Sequence, residues 1–475
     1  MSGYSDEKCI SRRHFLKQAV TGAGAAACST VIPSHLIEGA EKEQSMPITI
    51  AHVDSNFERE PLIRPFGFKG GYMSEIWQSA SLMENASGAR KIGICTQSVL
   101  WSDASVFAAH SESGGNALMY AMTERALRIA GETPFSTPIE LLDTILDDVH
   151  EYGKYITGKA DLRKTFALNS LVGVDNAAWL LYAHENGIEQ FDDMIPTEYR
   201  HVLAHHHTTI AAIPLMSYGV PIDEISASAD DGYFFMKIKI GQPGSQQEML
   251  EKDMARLSTI HSAIGHHETS WTADGKIPYY FDANGRYESK ETLMKLLDHA
   301  KKIGALDQIA LIEEPFPEEY DRDVSDIEVR IAADESAHTD EDALQRIQMG
   351  YGAIALKPIA KTLSMTLKIA RVAHDHNVPC FCADLTVNPV LVDWNKNVAA
   401  RLAPFPGLGL GLLETNGHQN YRNWDSMVQY HPCAGASWMT SSDGVFTLND
   451  DFYARSGGIF MPSSHYGDMF QGKSK

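Results

Sequence analysis

The chain has 475 residues, 44 % of them apolar and 21 % charged, with a formal net charge of −22. That length buries a large core and accommodates two or three domains. The acidic balance excludes a general nucleic-acid binder, which needs a basic face, but leaves room for an anionic substrate held by local lysines and a metal ion.

Residues 1–46 read as an export signal and linker rather than as part of the fold. Ser11-Arg12-Arg13-His14-Phe15-Leu16-Lys17 resembles the twin-arginine consensus. The Ala/Gly-rich stretch 19–32 that follows is too short and too weakly apolar to span a bilayer, and no later run is long enough. An exported or periplasmic location is therefore expected. Ala25-Ala26-Ala27-Cys28 offers a weak match to a lipoprotein processing site. Six cysteines in a chain of this size do not make a disulfide framework, and Cys380 and Cys382 read as packed strand residues.

Residues 47–205 are expected to form an α+β unit. Strands are predicted over 48–53 and 91–100, separated by the Gly-rich loop Pro65-Phe66-Gly67-Phe68-Lys69-Gly70-Gly71. Helical periodicity follows over 115–131, 137–151 and 162–187. Adjacent residues His205-His206-His207 cannot easily face one ion and read as solvated linker.

From 206 to 414 the texture alternates strand and helix. Eight short apolar runs fall at 211–216, 233–239, 279–282, 309–313, 329–334, 353–357, 378–384 and 408–414. Helices are predicted over 247–264, 290–303, 340–348 and 361–376. Eight buried strands alternating with helices predict a (β/α)8-type barrel, with the first unit as its cap and 415–475 packing back on that cap. A long insertion between the second and third runs contains His261, His266, His267 and Trp271.

Seven of these runs end in a charged residue: Lys239, Asp282, Glu313, Asp334, Lys357, Asp384 and Glu414. Catalytic groups of such barrels stand at the C-terminal ends of strands. Asp282, Glu313 and Asp334 supply oxygen ligands suited to Mg²⁺. Such an ion binds a substrate carboxylate and stabilises the charge that develops when the α-carbon loses its proton. Lys239 and Lys357 lie on either side of the acidic trio as candidate bases, lowered in pKa by a neighbouring cation. Lys237 shares a strand face with Lys239 and lies deeper. Phe66, Phe68, Asp384, Glu414 and His418 are candidate substrate contacts.

At these residues the chain resembles the enolase superfamily, within its mandelate racemase/muconate lactonizing family and nearest the muconate-lactonizing and dipeptide-epimerase branch. The motifs are Met236-Lys237-Ile238-Lys239-Ile240-Gly241, Asp282-Ala283-Asn284-Gly285, Ile312-Glu313-Glu314-Pro315, Ala333-Asp334-Glu335-Ser336 and Ile354-Ala355-Leu356-Lys357-Pro358. Val174-Asp175-Asn176-Ala177-Ala178-Trp179 resembles the helix joining the family's cap to its barrel. The resemblance implies Mg²⁺ on Asp282, Glu313 and Asp334, opposed acid/base lysines at Lys239 and Lys357, a small carboxylate substrate and a homo-oligomer. Racemisation or epimerisation leads; dehydration or cycloisomerisation of a sugar acid or other carboxylate, and a non-catalytic secreted carboxylate-binding protein, are the alternatives. The seventh run ends Cys382-Ala383-Asp384, without the His of the mandelate racemase type. Glu414-Thr415-Asn416 replaces the Asp-x-Asp pair with which dipeptide epimerases grip an amine.

Overall fold

A computed structural model describes residues 47–68 and 71–471. The export-signal reading and Cys28 fall outside the described residues.

The first layer is an antiparallel sheet of β1 (Ile50–Phe68), β2 (Gly71–Asn85) and β3 (Arg90–Gln97) in that order. This corrects the sequence reading. The described part of the Gly-rich segment is strand rather than loop: Phe66 pairs with Met73 and Phe68 with Gly71, so these residues extend one long hairpin. Polar residues scattered along β1 and β2 hid the strands, because much of β1 faces solvent and does not alternate cleanly. Helices Glu112–Glu132 and Lys164–Glu185 cover this sheet and Pro138–Thr157 packs on both of them, all close to their predicted positions. The last is buried nearly all round, since β3 lies on one side and other helices on the rest. Gly93 of β3 makes that approach possible: a Cβ there would lie 1.9 Å from the carbonyl oxygen of Gly173.

The second layer contains all eight predicted barrel strands. The first is split at Pro214 into β4 (Thr209–Ile213) and β5 (Leu215–Met216). The others are β6 (Met236–Lys239), β7 (Tyr279–Asp282), β8 (Ile309–Glu313), β9 (Ile331–Ala333), β10 (Ala353–Leu356), β11 (Cys380–Cys382) and β12 (Gly411–Glu414). They run parallel in sequence order, β5 beside β6 and β4 beside β12. Since β4 and β5 are one interrupted strand, the sheet closes on itself as a barrel. A short antiparallel strand, β13 (Val445–Thr447), adds to β4 on the outside. The helix Gln246–Ile264 starts on a capping box between Ser245 and Glu248, and Asp340–Gln348 on one between Thr339 and Asp342.

Cap and barrel are latched by buried polar contacts. Ser364 donates to Asp175, and the Trp179 indole donates to Ser364 Oγ at 3.1 Å. Residues beyond Glu414 touch β1 as well: the Asn56 side chain donates to the Met469 carbonyl at 2.8 Å, and His465 lies 2.8 Å from Glu58. Among the described residues no helix is long and apolar enough to cross a membrane.

Candidate active site

The barrel's charged strand ends meet at one mouth. Lys237, Lys239, Asp282, Glu313, Asp334, Lys357, Asp384 and Glu414 are all buried. A cavity there is lined from the barrel by Lys237, Lys239, Asp282, Lys357, Asp384 and Glu414, and from the cap by Phe66, Met73, Ser98 and Trp101. β6 and β10 are the second and sixth strands of an eight-strand ring, so Lys239 and Lys357 reach this cavity from opposite walls.

Lys237 occupies the centre of the acidic ring. Its Nζ lies 2.9 Å from Asp282, 3.0 Å from Glu313 and 3.1 Å from Glu414. Lys239 donates to Asp282 and to Asn284 Oδ1, both at 2.6 Å. Lys357 donates to Asp334, and Lys361 donates to the Asp334 backbone carbonyl at 2.6 Å.

Among the described residues, the tightest buried carboxylate trio is Glu313, Asp334 and Glu335, with ligand atoms within 4.8 Å of one another. Asp282 faces the same space but meets Glu313 across the Lys237 ammonium. Asp282, Glu313 and Asp334 thus stand at one mouth, with Glu335 beside Glu313 and Asp334. Two ammonium groups on Asp282 draw its carboxylate toward β6.

The electrostatics follow from burial opposed by pairing. Burial alone would raise Asp282, but Lys237 and Lys239 bring it down to about 2. Burial would likewise raise Asp334, but Lys357 and Lys361 hold it far below the carboxylate range. Glu313 and Glu314 are pushed up to about 8, chiefly by burial. Burial would lower Lys357, but Asp334 outweighs it and lifts the ammonium above its ordinary value. Lys237 is lifted further, by Asp282 and Glu313 against the same burial. The expected lowering of the Lys357 pKa is therefore not found in this charge set, because a carboxylate touches the ammonium directly.

Seven buried carboxylates (Asp282, Glu313, Glu314, Asp334, Glu335, Asp384, Glu414) face four buried ammonium groups (Lys237, Lys239, Lys357, Lys361). The excess of negative charge and the all-oxygen donor set fit a hard divalent cation such as Mg²⁺.

The strand-end loops hold these groups under strain. Asn284, Glu314 and Thr386 have left-handed φ of 47°, 40° and 57°, each just past a charged strand end. Glu314 accepts from the backbone N–H of Asp334 at 2.7 Å and from Ser336. It therefore aims the neighbouring strand end. Asp384 is raised to about 7 by burial and by Glu414, and its backbone N–H donates to Glu414 at 3.0 Å.

Phe66 lines the cavity as expected. Phe68 closes β1, but its side chain lies outside the described residues. His418 does not reach the cavity. After Glu414 the chain turns into a short helix, Gly417–Asn420, whose exposed face carries His418 against Trp424. Asn416 points inward instead, donating to Glu414 at 3.2 Å and lining the cavity. His374 and His376 are exposed, as expected for helix-surface residues, and Cys382 is packed in its strand.

Trp101, Asn284, Glu335 and Lys361 are among the residues at the mouth that escaped the sequence reading. Glu335 and Asn284 lay inside quoted motifs, and Lys361 follows Lys357 by one helical turn, which was a usable signal. Trp101 gave none, because it comes from the cap, remote in sequence. Its ring carries the Lys357 ammonium at 4.4 Å from the centroid.

Residues 222–407 match the family described as enolase C-terminal domain-like. A comparison with curated protein sequences finds no match. Among solved structures, a mandelate racemase/muconate lactonizing protein from Herpetosiphon aurantiacus superposes with a TM-score of 0.59 at 18 % identity, over 86 % of this chain and 97 % of that one. A dipeptide epimerase from Enterococcus faecalis V583, complexed with Mg and the dipeptide L-Leu-L-Tyr, gives 0.55 at 15 % identity, over 85 % and 98 %. An N-succinyl Arg/Lys racemase from Bacillus cereus ATCC 14579 gives 0.55 at 16 % identity, over 79 % and 89 %. At these identities the likeness is one of fold.

Proposed function

Because the barrel of this chain belongs to the enolase superfamily, in its mandelate racemase/muconate lactonizing enzyme family, we propose that the protein is a Mg²⁺-dependent racemase or epimerase acting on the carbon next to a substrate carboxylate. The observation that carries this reading is the entry of Lys239 and Lys357 into one buried cavity from opposite walls. One lysine removes the α-proton from one face, and the other delivers a proton to the opposite face. The substrate passes through a planar, enediolate-like form between the two steps.

Asp282, Glu313 and Asp334 would hold the cation, with the Glu335 carboxylate within 4.8 Å of those of Glu313 and Asp334. Bound there, Mg²⁺ supplies positive charge that stabilises the second negative charge on the substrate carboxylate. Lys237 keeps the acidic ring together and offers its ammonium toward the cavity. Phe66, Met73 and Trp101 close the cap side and exclude water. Asp384, Glu414 and Asn416 present polar atoms on the far wall. Glu414 already pairs with Lys237, so it is poorly disposed to grip a substrate amine.

The test is solvent exchange. Enzyme with Mg²⁺ in D₂O is offered N-acyl amino acids, dipeptides and sugar acids. Deuterium on the α-carbon of both substrate and product supports 1,1-proton transfer, and Lys239→Ala and Lys357→Ala each abolish interconversion. An α-keto acid product would replace racemisation by dehydration. Ligand binding without any exchange would return the protein to a carboxylate-binding role. Export through the twin-arginine-like segment is part of the same proposal, and a chain carrying Arg12→Lys with Arg13→Lys should stay in the cytoplasmic fraction.

A further inference from the structure

We propose that His201, His374 and Asp375 form a second metal site, for a divalent transition-metal ion such as Zn²⁺, on the outer surface of the barrel. His201 ends the short helix Thr197–Arg200, in the segment leading to β4. His374 and Asp375 end the barrel helix Leu363–Asp375. The fold brings these two distant stretches of chain together.

The geometry is that of an open metal site. Asp375 Oδ1 lies 3.8 Å from His201 Nε2 and 3.6 Å from His374 Nδ1, and one ligand atom of each residue falls within 4.8 Å of the others. These separations are longer than hydrogen bonds. A tetrahedral ion with bonds of roughly 2.0–2.1 Å sets its ligands about 3.4 Å apart, so modest side-chain motion closes the set. All three side chains are about half exposed, which permits that motion and leaves ligand positions for water.

The backbone on both sides is already anchored. Tyr199, two residues before His201, is buried and lies under the Arg371 guanidinium, 4.7 Å from its ring centroid. Arg371 is three residues before His374, on the same helix. Val202 and Leu203, which follow His201, are buried. The separation between the two imidazoles is therefore set by the packing of the segment on the helix. Their rings meet edge to face at 4.8 Å.

The donor set also distinguishes this site from the active site. Two imidazoles with one carboxylate suit Zn²⁺ and Cu²⁺, whereas the mouth of the barrel offers only oxygen. The neighbouring His205, His206 and His207 are separate: His206 faces Asp192 at 3.2 Å, and His207 bonds the Leu402 carbonyl. A bound ion would tie the segment entering the barrel to the helix it crosses, and stabilise the folded chain by linkage.

The test uses the full, tag-free chain saturated with Mg²⁺. One equivalent of Cu²⁺ should give an electron paramagnetic resonance spectrum with nitrogen superhyperfine structure, displaced by Zn²⁺. His201→Ala and His374→Ala should each reduce that pattern from two nitrogens to one and weaken Zn²⁺ binding roughly tenfold or more. Zn²⁺ should raise the melting temperature of the natural chain and not of either variant. Asp375→Asn preserves shape while removing the charge, so it should fold normally and bind Zn²⁺ more weakly. A two-nitrogen pattern unchanged in His201→Ala, an all-oxygen spectrum, or an unchanged Zn²⁺ affinity in Asp375→Asn would overturn the site.

Discussion

The Lys357 ammonium sits over the face of Trp101, 4.4 Å from the ring centroid, and so joins the sixth barrel strand to the cap at the cavity wall. Trp101 is buried, and its indole N–H has no partner among the described residues. The ring therefore holds the ammonium by its π face while the N–H remains available. Trp101→Ala should lower kcat/KM for α-proton exchange by about tenfold or more, the scale of a desolvated cation–π contact. Trp101→Phe should retain more of it. Steady-state kinetics on the substrate found by exchange, with melting curves to track cavity formation, check this.

Cation removal should show in stability as well as in turnover. The buried carboxylates outnumber the ammonium groups, so without a divalent ion they repel one another or take up protons. Chelation of Mg²⁺ should lower the melting temperature, most at pH 8, where Glu313 and Glu314 begin to ionise. Mg²⁺ should restore it in proportion to the logarithm of its concentration. Calorimetric melts at pH 6 and pH 8, with and without chelator, measure this. Equal shifts at the two pH values would contradict it.

Asp175 gives a separate pH effect at the latch between cap and barrel. Burial raises its carboxyl to about 7, against the hydrogen bonds from Ser364 that favour ionisation. The folded state therefore holds this proton up to a higher pH than the unfolded chain does. Its contribution to stability is full below pH ~4, falls as pH rises toward 7, and is constant above. The upper limit is about 4 kcal/mol. Asp175→Asn should flatten this part of the profile in denaturant titrations from pH 4 to 8, leaving the slope due to the active-site acids.

Gly93→Ala tests the close approach beneath the same latch. The new methyl carbon would meet backbone, the Gly173 oxygen at 1.9 Å and the Ala177 nitrogen at 2.5 Å, so no rotamer change relieves it. The helix Lys164–Glu185 must move off β3 and carry Asp175 and Trp179 with it. The expected cost is roughly 3 kcal/mol or more in chemical denaturation. A change under about 0.5 kcal/mol would mean that the helix is free to shift.

Much of the barrel was legible along the chain, because a parallel strand buried on both faces must be a short apolar run, and the loop beyond it must open with polarity. Tyr279–Asp282 and Ile309–Glu313 matched their predicted bounds for that reason. The long hairpin of β1 and β2 was not legible, since exposed residues break the alternation of β1 and the buried polar residues Gln78, Ser79 and Ser81 interrupt the apolar run of β2. His418 and Asn416 show the same limit at the site. Both follow a strand end, and only the turn after Glu414 decides which faces inward.

The residues themselves determined the set of charges and the strand on which each one rides. Local pattern suffices for that, because period and polarity are properties of neighbours. Which carboxylates share one space, that Lys237 stands among them and that Trp101 covers Lys357 were decided only by barrel closure and by the seat of the cap. Those contacts join residues far apart in the chain, and their distances come from packing that no local pattern encodes.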